Sequence, residues 1–305
     1  MTPAPAGQEA ALLHELGLVL GWGALAVFTF VSVVLALSLR RRAKAAPRTA
    51  RWVVGGGIAL PVVLLSALLV YSTWRTADLE RAAAAPALVV SLTGHLWWWE
   101  VRYRDPATGR DIALANEIRV PVGRTTRLGL ASADVIHSLW VPALGGKRDL
   151  VPGRTTHLSI TPTRTGVHRG ACAEFCGPQH AKMALHVVAM PADAFDAWLA
   201  AQARPAPAAG PSALVDTGRQ AFAAQGCAAC HAVRGTFEPP PRGPDLTHVA
   251  TRVSLGAGTL PNGPGASKRW LVGVQQLKPG ARMPSYAHLD VATLDALAAY
   301  LESLK

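Results

Sequence analysis

Cys172-Ala-Glu-Phe-Cys176-Gly-Pro-Gln-His180-Ala-Lys-Met183 is the stretch on which the reading of this chain turns. It gathers two thiols, an imidazole and a thioether in one short segment. A second histidine, His137 in HSLWVP, lies upstream. Soft thiolate and thioether ligands combined with imidazoles suit copper in electron transfer. Three plainer readings stand beside that one. The cysteines could pair as a disulfide in an oxidising compartment. With the two histidines they could hold a structural zinc. The histidines could also be ordinary structural residues. A disulfide has no use for two histidines and a methionine at these positions, and zinc has none for Met183, so copper is favoured. A mononuclear site of the blue type uses one cysteine, whereas two thiolates can bridge two coppers, each taking one histidine as well.

The flanking sequence indicates the scaffold. ALVVSLT (87–93), LWWWEVRY (96–103), EIRVPV (117–122), TTRLGL (125–130), VIHSLWV (135–141) and MALHVVAM (183–190) are rich in Val, Thr and aromatics, with Gly, Pro, Asn and Asp between them. Short strands at this spacing predict a sandwich or barrel. Residues 191–203 read as a helix with Phe195, Trp198 and Leu199 on one face. ARPAPAAGPS (203–212) is Pro/Ala-rich and without hydrophobic period, an extended linker. Beyond it, LVDTGRQAFAAQ and DVATLDALAAYLESL are helical. In the latter Leu294, Leu297, Leu301 and Leu304 form a stripe, and Asp290 is placed to cap the start. Gly/Pro-rich loops lie between. The expected division is 1–80 for an apolar hairpin, 81–202 for an all-β module, 203–212 for the linker and 213–305 for a small all-α module.

The α module carries Cys227-Ala-Ala-Cys230-His231. CxxCH is the signature of c-type heme attachment: two thiols form thioethers to the heme vinyl groups, and the adjacent imidazole ligates the iron. A thioredoxin-like pair lacks its βαβ surroundings here, and a zinc site lacks a second Cys/His pair. The sixth ligand follows by elimination. Of the four methionines only Met283 lies in this module, in Gly280-Ala-Arg-Met-Pro-Ser, with His248 and His288 as competitors. A thioether ligand raises the reduction potential, as suits an electron relay. Over about 90 residues the module resembles the class I cytochrome c family, through CAACH, Gly243-Pro-Asp-Leu, Lys278-Pro-Gly and Met283-Pro.

The N-terminal part is apolar. Leu16–Leu39 and Trp52–Trp74 are 24 and 23 residues without a charge, and about 20 suffice to span a bilayer. Between them Arg40–Arg51 holds six of the chain's thirty Lys and Arg and no acid. On the positive-inside rule that loop is cytoplasmic, so both chain ends lie outside. The first run lacks a basic n-region and is long for a signal peptide, so it is expected to remain as an anchor. The net charge of +11 is therefore largely a topology signal, not a nucleic-acid footprint. Half of the residues are hydrophobic and 16% charged, which excludes a disordered chain.

Taken together, these pieces resemble cytochrome c oxidase subunit II in its caa-type layout: two N-terminal spans, a cupredoxin-like domain, then a cytochrome c domain. The family pattern of a distal His followed by CxExCxxxHxxM is met at His137, Cys172, Glu174, Cys176, His180 and Met183. By that resemblance Cys172 and Cys176 bridge the two coppers of a CuA centre. His137 and His180 are terminal ligands, Met183 is a weak axial ligand and Glu174 binds through its backbone carbonyl. The Glu174 side chain would also help hold a magnesium shared across a subunit interface. His95-Leu-Trp97-Trp98-Trp99 is similar to the family's aromatic stretch where electrons enter, with Trp97 at that position. Pro142–Arg154 resembles a segment that faces the catalytic subunit. One departure concerns the second span, where relatives carry a glutamate for proton uptake and this chain has Arg51-Trp-Val-Val-Gly.

The resemblance implies an oxidoreductase subunit in a bacterial plasma membrane. It would pass electrons from heme c to CuA and on to the heme–copper subunit I that reduces dioxygen. Its donor would be a soluble or membrane cytochrome c, or a quinol:cytochrome c reductase. Oxygen chemistry is not expected on this chain, because His14 is the sole histidine near either span. The linker would replace diffusion with a high effective concentration, so severing it is expected to slow heme-to-copper transfer. A nitric oxide reductase whose small subunit carries CuA needs the same relay. A free-standing membrane electron carrier or copper-delivery protein is the alternative outside the enzymes.

Overall fold

The computed structural model describes residues 4–40, 49–84, 86–207, 212–238 and 242–305. Most of the basic loop (41–48) and part of the linker (208–211) lie outside the described residues. Two units divide the chain, one over Glu9–Ala85 and one holding the remainder.

The first unit is helical. Helix α1 runs Gln8–Arg40. A short turn α2 (Thr49–Arg51) leads into a π-helical stretch, Trp52–Ala59, and then α3, Leu60–Ala84. The π segment contains Gly55, Gly56 and Gly57, which tolerate its wider coil. Gln8–Arg40 and Trp52–Ala77 are long and apolar enough to cross a membrane. Near one end of the pair, Glu15 accepts from the Tyr71 hydroxyl at 2.7 Å and from Arg75 Nε at 3.0 Å. This charge pair sits outside the uncharged runs, where an ionised side chain is tolerated.

The second unit begins with a two-sheet sandwich. One sheet orders β3-β2-β1-β5-β8 and the other β4-β10-β9-β6-β7. The strands are β1 Leu88–His95, β2 Trp98–Arg104, β3 Asp111–Ala115, β4 Glu117–Pro121, β5 Thr126–Ser132, β6 His137–Trp140, β7 Lys147–Leu150, β8 Thr156–Ile160, β9 Gly166–Cys172 and β10 Ala184–Met190. Burial alternates along β1, β2 and β5 because successive side chains point to opposite faces. Trp99, Tyr103, Leu92, Ile118 and Leu128 fill the space between the sheets with no exposure. Each contributes about 2–3 kcal/mol. Helix α4 (Ala192–Gln202) closes one edge with Phe195 and Leu199, and Phe195 and Trp198 pack against Tyr103. Residues 6–8 also pair with the sandwich, Ala6 N donating to Ala143 O at 2.7 Å and Gln8 N to Thr161 O at 3.0 Å.

Four of these strands, β3, β7, β8 and β9, are absent from the sequence reading. β7 is KRDL, polar and mostly exposed, and β9 carries glycine at its first and fifth residues, so neither shows a clean hydrophobic alternation.

The helical module packs α5 (Ala213–Ala224), α6 (Ala266–Leu277) and α7 (Val291–Ser303). The sequence reading left α6 among Gly/Pro loops, because Lys268, Arg269 and the glutamines dilute its apolar face. The Asp290 cap is present, its side chain accepting from Thr293 N. All four leucines of the α7 stripe are buried. α5 and α7 cross at Gly218, where a β-carbon would lie 1.9 Å from the Ala296 carbonyl oxygen. Only glycine permits so close an approach of the two helices.

Candidate functional site

Register assembles the first cluster. β6 pairs with β9 so that Leu139 faces Cys172, which brings His137 at the start of β6 beside the last residue of β9. The chain then loops through Cys176 and a 3-10 turn at His180–Lys182 before re-entering the sheet as β10. Cys172 N bonds to Met183 O at 2.9 Å and Ala173 N to Ser138 O at 2.8 Å, closing the loop at its base. The ligating atoms of His137, Cys172 and Cys176 lie within 4.8 Å of one another, and all three residues are buried.

The remaining predicted ligands gather round them. The two Sγ atoms stand 3.7 Å apart and are not bonded. His137 Nδ1 lies 3.9 Å from Cys172 Sγ and His180 Nδ1 3.7 Å from Cys176 Sγ. Met183 Sδ is 3.8 Å from Cys176 Sγ, and the Glu174 carbonyl is 3.2 Å from Cys172 Sγ. The Glu174 side chain is exposed. His137 Nε2 faces Asp134 Oδ1 at 2.8 Å. A carboxylate accepts only, so Nε2 carries the proton and Nδ1 turns its lone pair to the thiols.

Electrostatics fit this cluster to a cation. Burial raises the Cys172 thiol, but the His137 contact and nearby backbone groups outweigh it and hold the pKa low. Burial and the neighbouring Cys172 charge both push Cys176 up. A metal ion bound here would remove the repulsion between the two sulfurs and favour both as thiolates.

The second site is a cavity of about 230 Å³ lined by Cys227, Cys230, His231, Met283, Tyr286 and Leu301 among others. CxxCH opens on a 3-10 turn, Cys227–Ala229, and Cys227, Cys230 and His231 all line the cavity. His231 Nδ1 bonds to the Pro244 carbonyl at 2.8 Å, so it is the donor and Nε2 is left to face a metal. Burial keeps this imidazole's pKa low and its ring neutral. Gln275 Nε2 donates to the Met283 and Ala281 carbonyls, fixing the methionine loop. His248 has both ring nitrogens against main-chain carbonyls, Lys305 O at 2.8 Å and Arg204 O at 3.1 Å. Neither His248 nor His288 lines the cavity. This set fits a covalently attached heme.

Trp97 lies between the two sites. It lines the cavity, and its Nε1 donates to the Cys176 carbonyl at 2.8 Å. Two residues that the sequence did not mark, Asp134 and Gly94, and one marked only as part of a motif, Lys278, complete the surroundings. Asp134 also accepts from Leu96 N at 2.8 Å, so one carboxylate orients both His137 and the tryptophan loop. The signal available was its place three residues before His137. Gly94 packs against the His137 ring, where a β-carbon would come within 2.7 Å. Lys278 is buried at the same seam.

Comparison with known proteins agrees with this geometry. Residues 88–190 match the periplasmic domain of cytochrome c oxidase subunit II, and residues 215–305 match cytochrome c. A cytochrome c oxidase subunit 2 of Alkalihalophilus pseudofirmus is 36% identical over 252 residues, covering 81% of this chain and 71% of the relative. One from a Bacillus species is 31% identical over 263 residues, covering 81% and 72%. The crystal structure of the periplasmic domain of subunit II (CoxB) of Bradyrhizobium japonicum aligns with 39% of this chain and 95% of its own, at 28% identity and a TM-score of 0.37. The two matched domains imply copper in the sandwich and heme in the helical module. The chain belongs to the cytochrome c oxidase subunit 2 family, in a form that carries its own cytochrome c domain.

Proposed function

We propose that this chain is the electron-input subunit of a heme–copper oxidase, taking electrons at heme c, relaying them to a binuclear copper centre and delivering them to a partner subunit that reduces dioxygen to water. The observation that carries this reading is the seam itself. Trp97 lines the heme cavity and donates to the carbonyl of a cysteine in the thiol cluster.

The residue roles follow. Cys172 and Cys176 would bridge the coppers, with His137 and His180 as terminal ligands, and Met183 and the Glu174 carbonyl completing the set. Cys227 and Cys230 would bind heme covalently, with His231 and Met283 axial. Bound in these places, copper and heme supply one-electron redox chemistry. The protein supplies rigidity: Asp134 and the Pro244 carbonyl fix the two imidazoles, and the sheet register holds the thiol loop. Such preorganisation keeps geometry constant between oxidation states. Trp97 is the residue through which electrons enter the copper domain. The exposed Glu174 carboxylate is the group for a magnesium shared with a neighbouring subunit.

The two apolar helices would anchor the chain in a bacterial plasma membrane, with the N-terminus and both modules on the outer side. The working division is 1–80, 81–202, 203–212 and 213–305. Partners are the heme–copper subunit I, and upstream a cytochrome c or a quinol:cytochrome c reductase.

The test is purification of the tagged chain under mild detergent, followed by gas-uptake assays with reduced cytochrome c. Fast dioxygen consumption by a complex containing a large heme–copper subunit is expected. Nitric oxide consumption with little dioxygen uptake would move the chain to the reductases. Absence of any large subunit, with neither gas consumed, would leave a free-standing carrier.

A further inference from the structure

The helical module is bonded to the sandwich by side chains on both sides. Val253 N donates to Glu117 Oε2 at 2.7 Å, and Arg119 reaches the Thr251 carbonyl at 2.9 Å. From the other side Arg234 reaches the Ala113 and Gln202 carbonyls at 2.8 and 2.6 Å. At the centre stands Lys278, only 4% exposed. Its Nζ donates to Trp97 O at 2.6 Å, Lys182 O at 2.8 Å and Gly256 O at 3.1 Å; burial lowers its pKa to about 7, and the three carbonyls around it match the three donors of the charged form. The first two acceptors belong to the sandwich and the third to the helical module.

An ammonium has three donors and no acceptor. Here each donor meets one main-chain carbonyl. A lysine is rarely buried, and burying its charge is costly unless every donor is satisfied. Truncating it would leave three carbonyls, two in one module and one in the other, without their common partner. The carbonyls it holds are also the relevant ones: Trp97 bonds onward to Cys176, and Lys182 precedes Met183.

We propose that Lys278 is a positioning residue that pins the heme module against the Trp97 loop, so that heme-to-copper transfer runs across a fixed seam and not by a swinging tether. This deepens the electron-input reading and rests on it. It also reverses the expectation for a severed linker. A docked module keeps its partner after the linker is cut, whereas a tethered one loses it.

The experiment uses the full chain in its detergent-solubilised complex, with a protease site placed at 208–211. After cleavage, gel filtration reads whether the heme module stays bound, and flash photolysis reads the heme-to-copper rate at low and high salt. With Lys278 intact, the cut module is retained and the rate is insensitive to salt. In Lys278→Met, the cut module is released. The uncut variant slows by about tenfold and becomes salt-sensitive, while the heme and copper spectra stay unchanged. Retention and an unchanged rate in Lys278→Met overturn the proposal, as does loss of the cut module when Lys278 is intact. A slowed rate with an altered copper spectrum also overturns it, since the lysine would then act on the fold of the copper loop. Should the methionine variant not accumulate, Lys278→Leu, which also removes every donor, is judged by the same criteria. Retention is a binding readout and not a redox one, so failure of the redox reading leaves it intact.

Discussion

The thiol cluster and the heme cavity solve one problem in opposite ways. Both must hold a redox centre still. In the sandwich, the donors come from a strand start, a strand end and the loop between two strands, and the ladder of β6, β9 and β10 sets their spacing. In the helical module the donors sit on loops, and what holds them is a tight turn at one end and a glutamine clamp at the other. The histidines differ in the same sense. His137 is oriented by a carboxylate, His231 by a neutral carbonyl. Both fix the tautomer and raise the ligand's basicity, and the first also places a full negative charge behind it. The lesson is that a site made by sheet register needs fewer local devices than one made by loops.

The sharpest way to break the comparison is to remove one bridge. Cys176→Ser leaves a single soft thiolate beside two imidazoles. Copper bound per chain, read by elemental analysis, is expected to fall from two to at most one, and relay from heme c to stop. The heme spectrum should be unaffected. If two coppers remained, the bridging role would be wrong.

A second break is mechanical. In Gly218→Val a β-carbon meets the Ala296 carbonyl, so α5 and α7 must separate. A loss of about 3 kcal/mol is expected, read as thermal loss of the heme-region dichroism while the copper site stays formed. Equal loss at both sites would mean that the modules do not fold separately.

Asp134→Asn sharpens the contrast between the two histidines. An amide can still accept from His137 but carries no charge. Copper affinity, measured by competition with a chelator, is expected to fall by about tenfold, with heme properties constant. Asp134→Ala should cost more, because Leu96 N also loses its partner. No change in either variant would show that the carboxylate is ornamental.

These sites were unequally legible in the chain. The thiol segment and CAACH are local, so their chemistry could be read as spelled. His137 was recognisable only by pattern, since its approach to Cys172 depends on strands β7 and β9 that show no hydrophobic alternation. Long-range partners were hidden for a different reason. Asp134 looks like a turn residue, and Lys278 was visible only as part of a cytochrome c motif, not as a buried donor. Their roles arise from where the fold delivers them, across a seam between two modules whose linker suggested mere tethering. Helix α6 was missed because its charged face outweighs its apolar one in sequence, although Leu271 and Val274 are buried.

The smallest expected effect concerns the cap of α7, and it tests whether the loop-built module depends on local devices. The Thr293 amide donates to Asp290 Oδ1 at 2.9 Å and the Thr293 hydroxyl to Oδ2 at 2.7 Å. These bonds, the amide first, hold the carboxyl below its ordinary value. A group whose pKa is lowered on folding stabilises the fold above its unfolded pKa and loses that contribution as pH falls through the folded one. From about pH 5 down to below about pH 3, the melting temperature of the heme module should therefore drop more steeply in the native chain than in Asp290→Asn, which keeps an uncharged cap. Asp290→Ala should melt earlier at neutral pH and converge on the native chain in acid. Parallel curves for all three would mean that α7 is held by its buried leucines alone, Leu294, Leu297 and Leu301. The cap would then add nothing to a helix already fixed against Gly218.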